Sequence, residues 1–271
     1  MTVIATVITS HFTTHATDSF ITVPKSDGTF EIEEPEKTKI VPVLAWRGAL
    51  SYWGLATHKP DWSTLNWLQV RAQKAREHSS AEEFARAIAS ELTATLRART
   101  FQNTLERGIG IHFSAYEEVN GYWIPELFHI RNWTDESYSA VRESFEVTRE
   151  TFGATQNTRD RSGADGTPER RLHVYKFLQE GKMLIFNNGD PALFNPIANG
   201  VLSTLSGLHQ RRELRDPTDV KTHLAITRRP VEIASKLLTD FARTDMRRVG
   251  GKPHDLAIAP NGQMTSTTGD G

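Results

Sequence analysis

The chain contains no cysteine. That removes a thiolate nucleophile, a disulfide frame and a cysteine zinc site, and leaves covalent chemistry to Thr, Ser, Lys, His or carboxylates. The most informative residue is the second. An initiator methionine followed by a small residue is usually trimmed, so Met1-Thr2 would expose a threonine whose hydroxyl and free α-amine share one residue. An α-amino group ordinarily titrates at about 7.7–8.0, so near neutrality much of it is close to its proton-accepting form. A Thr hydroxyl beside such an amine is an activated nucleophile for acyl transfer. The plainer reading of the same residues is a strand, because Thr2 to Thr9 is a β-branched run that suits a pleated surface.

Other constellations carry less. His11 and His15, four apart on one face of a strand, would stand about 13 Å apart, too far to share a metal. Gly108–Gly110 is too short for a phosphate cradle and lacks the following Lys-Ser/Thr. Arg170-Arg171, Arg211-Arg212, Arg228-Arg229 and Arg247-Arg248 read as solvated surface, or as a patch for an acidic partner. Trp46 and Trp53 either pack helix against sheet or line a cleft. Asn132-Trp133-Thr134 has the glycosylation pattern without a secretory signal. No metal site and no cofactor is expected.

These candidates need a scaffold. With 271 residues, 38% hydrophobic and 24% charged, the composition is that of a globular protein. Thirty-two basic residues against 33 acidic ones give a net charge of -1, with no excess to drive nucleic-acid binding. Apolar runs are far shorter than the ~20 residues of a membrane span, so a soluble, cytoplasmic protein is expected. Two strands over 2–9 and 12–23 open the chain, and an acidic loop over 24–38 with a short strand follows. Strands at 40–44 and 49–55 come next. Helices are predicted after Pro60-Asp61 and after Ser80, where Glu83 completes capping-box spacing and Phe84, Ile88, Leu92 and Leu96 recur every four residues. Asn120-Gly121 marks a hairpin. The spacing then suggests an amphipathic helix over 134–150, a mobile insertion over 153–170 and a hairpin of 172–178 with 183–186. A helix from Asp190-Pro191, a last helix from Pro230 to Phe241 and a short strand at 256–258 complete the chain. This order fits an α+β class, a four-layer αββα sandwich of two mainly antiparallel sheets flanked by helices. The expectation is one domain over 1–261, with insertions at about 24–38 and 134–170, and a flexible tail over 262–271.

Three phrases stand in a telling order. Ala16-Thr17-Asp18-Ser19 places an Asp sixteen residues after Thr2. Lys39-Ile40-Val41 is followed by Trp53-Gly54. Near the end comes Val249-Gly250-Gly251-Lys252-Pro253-His254-Asp255-Leu256. In these features the chain resembles the proteasome β-subunit family of N-terminal nucleophile hydrolases, nearest to its stand-alone bacterial relatives. The resemblance spans roughly residues 2–260.

The resemblance implies roles. Thr2 is the nucleophile, Lys39 lowers the hydroxyl's pKa and Asp18 fixes the ammonium. The Gly54 amide stabilises the oxyanion. Asp240, near the end of the last helix, helps orient the terminal amine, and Asn188 falls where the family has its Gly-Ser-Gly turn. The product is a threonine-dependent amide or peptide hydrolase acting through an acyl-enzyme, on a peptide or small amide substrate. Homo-oligomers, including rings, are expected of such relatives. The alternative is a non-catalytic assembly or binding subunit of the same fold. It is favoured by Ser10-His11 in place of a turn glycine and by Arg243 in place of a serine; Asn187-Asn188-Gly189-Asp190 also departs from the family's turn in lacking the serine.

Overall fold

A computed structural model of the chain describes residues 3–25, 27–34, 36–58, 62–101, 108–134, 140–151, 167–189, 191–211, 213, 219–247 and 249–267. Strands β1 (Val3–Ile8), β2 (Thr13–Thr17), β3 (Ile21–Pro24), β4 (Phe30–Glu34), β5 (Ile40–Val43) and β6 (Gly48–Gly54) come first, then two-residue β7 (Thr57–His58) and β8 (Trp62–Ser63). Helices α1 (Thr64–Gln73) and α2 (Ala81–Arg97) precede β9 (Ile109–Val119), β10 (Tyr122–Trp133) and β11 (Val141–Arg149). After them come α3 (Pro168–Gln179), β12 (Leu184–Gly189), α4 (Pro191–Gln210), α5 (Val220–Phe241), β13 (His254–Ile258) and β14 (Met264–Thr265).

The strands build two five-stranded antiparallel sheets. The first runs β12-β1-β2-β13-β14 and the second β11-β10-β9-β6-β5. All six residues of β1 are buried, because both faces of the strand are covered. Val3 and Ala5 meet Phe194 of α4 with Val231 and Ala234 of α5, while Thr6 reaches His112 of the second sheet. That explains why Thr2–Thr9 shows no polar alternation. Across the interior, Leu256 and Ile258 pack on Ile40, Ala49 and Tyr116. On the other side of the second sheet, Phe84, Ile88, Leu92 and Leu96 of α2 join Leu50, Ile111, Phe113 and Phe128 in one apolar cluster. The Ser80 hydroxyl accepts from Glu83 N at 3.1 Å, and the Glu83 carboxylate takes the Ser79 amide at 2.7 Å, a cap close to the expected box. Asn120 (φ 53°) and Gly121 (φ 82°) turn β9 into β10. Positive φ at both central residues is what a type I′ turn demands.

Several expected elements are corrected. Within the 134–150 stretch, the described residues 141–149 are strand and not helix. Its second half is β11, in which Val141, Phe145 and Val147 fall on alternate positions, and the Phe145 amide donates to Thr93 Oγ1 of α2 at 3.0 Å. Pairing with β10 and cover by α2 overrode the amphipathic spacing. Residues 172–178 are not a strand but α3, which starts on Thr167 and Pro168. Val174 and Leu178, four apart, close the end of the sheets against Ile8, Leu127 and Leu184. The last helix begins at Val220 and not Pro230, since Asp219 caps it by accepting from Thr222 N at 2.9 Å. The short strand expected in the loop 24–38 is present as β4, which pairs with β3 in a two-stranded ribbon. The stretch 262–271 is not wholly a tail, because β14 pairs with β13. The insertion expected over 153–170 lies, up to 166, outside the described residues.

Candidate functional site

The expected Asp and Lys meet. Asp18 follows β2, Lys39 precedes β5, and neither side chain is exposed at all. Lys39 Nζ donates to Asp18 Oδ1 at 3.0 Å and to the Phe20 carbonyl at 2.6 Å. The amide of Val3 donates to the same Oδ1 at 3.0 Å, and the Gly250 amide to Oδ2 at 3.4 Å. Backbone bonds hold this corner together. Asp18 N reaches the Val3 carbonyl at 3.3 Å, Ser19 N and Phe20 N reach the Gly250 carbonyl at 3.1 and 3.3 Å, and Tyr52 N reaches the Lys39 carbonyl at 3.3 Å. A buried ion pair is tolerable only when its remaining hydrogen-bonding capacity is met, and here two amides and a carbonyl contribute to that. Burial holds the Lys39 ammonium below its ordinary pKa, with the charge and hydrogen bond of Asp18 pulling it back up.

Gly54 ends β6 opposite Ile109 with φ +90°, and a Cβ there would lie 2.1 Å from the Gly108 carbonyl oxygen. No other residue fits without moving backbone. Its neighbour Trp53 does not line an open cleft. It is buried between the sheets, its ring centroid 5.6 Å from that of His112 and 5.1 Å from that of His129. Trp46 donates to the Ala75 carbonyl at 3.2 Å and fastens the short turn that follows α1.

Two expected supporting residues land differently. Asp240 is exposed on the last turn of α5, its carboxylate 2.8 Å from Lys236 Nζ one turn back. On this helix Ala234 and Ser235 face inward, and Asp240 lies on the other side. The C-terminal landmark therefore touches Asp18 through the Gly250 amide rather than through Asp240. Asn188 lies in β12 opposite Ile4, and its neighbour Gly189 lies opposite Val3. The Asn188 amide points between the sheets, with Nδ2 2.6 Å from His112 Nε2. Thr2 is outside the described residues.

Sequence reasoning missed the groups around these. Val3 and Phe20 act through backbone atoms, which side-chain types do not signal, and so does Gly250, which the sequence marked only as part of its C-terminal phrase. Thr6 and His15 face each other in the β1–β2 register and lead into a buried polar set. His15 Nδ1 is 2.9 Å from Ser51 Oγ and 3.3 Å from Thr6 Oγ1, and Nε2 is 2.7 Å from Ser114 Oγ. Burial lowers the His15 pKa to about 3. His11 sits outside the strand, its ring 6.2 Å from that of His223. Among the described residues there is no cluster of three or more His, Cys, Asp or Glu that could hold a metal ion, and no helix is long and apolar enough to cross a membrane.

No family model and no curated protein matches the chain. Among solved structures, the chain is similar to Anbu (ancestral beta-subunit) from Yersinia bercovieri. The TM-score is 0.50 and the identity 11%, covering 100% of this chain and 88% of that one. This corrects the resemblance drawn from the sequence. Membership of the proteasome β-subunit family is not established, since no family model matches, and what the likeness supports is a proteasome-related fold.

Proposed function

We propose that the chain is a threonine-dependent amide or peptide hydrolase whose nucleophile is Thr2, standing first in the mature chain. The observation that carries this reading is the shared oxygen of Asp18, which accepts from both Lys39 Nζ and Val3 N at 3.0 Å. The Thr2 carbonyl carbon is bonded to Val3 N, so the ammonium and the residue 2 peptide unit are two hydrogen bonds apart. An ammonium brought close to a hydroxyl would favour the hydroxyl's deprotonated form, which is the role assigned to Lys39 in this reading.

The steps follow. Thr2 Oγ attacks the substrate carbonyl carbon while its proton passes to the α-amine, directly or through a water. The tetrahedral oxyanion collapses, the C–N bond breaks and the amine leaves with a proton, leaving an ester on Thr2. Water attacks that ester, gives up a proton to the α-amine and releases the acid. An amine in place of water would complete a transpeptidation. Gly54 suits the oxyanion role. In β6 the Tyr52 amide faces the β5 side, and by ladder alternation the Gly54 amide two residues on faces that side too. The fold likeness is compatible with this chemistry, and we read the layers as helix, sheet, sheet, helix.

The proposal requires that Met1 be absent from the mature protein and that a threonine-directed electrophile such as a β-lactone acylate it. Intact mass should show the chain beginning at Thr2, and Thr2→Ala should lose labelling with its circular dichroism unchanged. Retained Met1, or undiminished labelling of Thr2→Ala, would contradict the proposal.

A further inference from the structure

The hydrolytic steps do not use the polar set buried between the sheets. It joins Thr6 of β1, His15 of β2, Ser51 of β6, His112 and Ser114 of β9 and Asn188 of β12. Thr6, His15, His112, Ser51 and Ser114 are all buried, and Asn188 is partly so. Donors and acceptors fix the direction at His112. Asn188 Nδ2 is a donor, so His112 Nε2, 2.6 Å away, accepts and carries no proton. The ring proton then sits on Nδ1 and is donated to Thr6 Oγ1 at 2.9 Å. Thr6 Oγ1 also lies 3.3 Å from His15 Nδ1, which Ser51 Oγ approaches more closely at 2.9 Å, and His15 Nε2 is 2.7 Å from Ser114 Oγ. His112 makes its bonds to Asn188 and Thr6 as a neutral imidazole. Burial lowers the pKa values of both His15 and His112, and for His112 the His129 and then the His15 charge add to it.

The chain of bonds ends where the candidate site begins. Asn188 pairs with Ile4 and Gly189 with Val3, the residue whose amide lies on Asp18 Oδ1. His112 belongs to the opposite sheet, between Ser51 and His129 in register. We propose that His112 is a positioning residue that ties the end of β12, through Asn188, and the middle of β1, through Thr6, to the second sheet, and so fixes the start of β1 against Lys39. Its catalytic consequence rests on the hydrolytic reading above, whereas the tie itself does not.

The test compares His112→Phe, which fills the space without hydrogen bonds, with His112→Gln, which keeps an acceptor for Asn188. Two readouts are amide hydrogen exchange over residues 4–6 and 186–189 and the kinetics of acylation by a β-lactone. In His112→Phe, exchange in both segments should speed up by about tenfold or more, and the maximal acylation rate should fall by about tenfold at unchanged half-saturation. His112→Gln should recover most of both. Were His112→Phe not to fold, Asn188→Ala cuts the same bond from its other end and takes its place. Unchanged exchange and acylation in the cutting variant, or a Gln variant no better than Phe, would overturn the tie. A wild-type chain that never acylates sinks the hydrolytic reading alone, and the exchange comparison still decides the positioning claim.

Discussion

At Asp18 one carboxylate accepts from an ammonium and two backbone amides with no solvent contact, so its removal strands a buried cation. Asp18→Ala should cost about 3–5 kcal/mol of stability, measured by denaturant unfolding, and abolish labelling of Thr2. A loss under about 1 kcal/mol would mean the pair is better solvated than its burial indicates. Gly54→Ala forces an L-residue to φ +90° and sets a methyl 2.1 Å from a carbonyl oxygen. It should destabilise by about 1–3 kcal/mol or more, with the loss read by thermal melts. His15 titrates in the opposite sense to a stabilised cation. Its folded pKa of about 3 lies below the ordinary 6.5, so its contribution is complete above pH 6.5 and is lost as pH falls towards 3. Acidification to pH 5 should remove about 2 kcal/mol through this residue, a slope that His15→Gln flattens in urea titrations.

Elements differ in how far the sequence announces them. The β9–β10 hairpin was legible because its signal, Asn120-Gly121, is local. The cap of α2 was legible for the same reason, whereas Asp18 and Lys39, 21 residues apart, were singled out only through the family resemblance. By contrast β11 and α3 owe their form to partners distant in sequence, α2 over Phe145 and the end of both sheets around Val174 and Leu178. Arg171, read as surface, faces inward from α3, with Nε 3.2 Å from Glu126 and Nη2 2.8 Å from Glu117. Burial raises the Glu126 carboxyl to about 7 despite Arg149 and Arg171. Because the folded value is the higher one, its stabilising share is full below about pH 4.5 and is lost as pH rises through 7. Glu126→Gln should therefore gain stability relative to wild type as pH climbs from 5 to 8. Parallel pH profiles for the two proteins would refute the assigned burial.

For the whole molecule, the two sheets face each other through side chains that no local pattern pairs, which is why the histidine chain was invisible in the sequence while the α+β class was not. The C-terminal segment belongs to that architecture. Asp255 is buried, accepts from Thr267 N at 2.7 Å and Ser266 Oγ at 3.3 Å, and lies 3.3 Å from Arg228 of α5. Removing residues 262–271 strips β14 and leaves this carboxylate short of partners, a change that should cost about 1–3 kcal/mol and lower the melting temperature. An unchanged melting temperature would show the segment to be passive. The account as a whole turns on which atom carries the acyl group. Peptide mapping by tandem mass spectrometry after β-lactone treatment should place the adduct on Thr2 of a chain that starts there, and an adduct elsewhere, or none on a chain with a free Thr2, would contradict it.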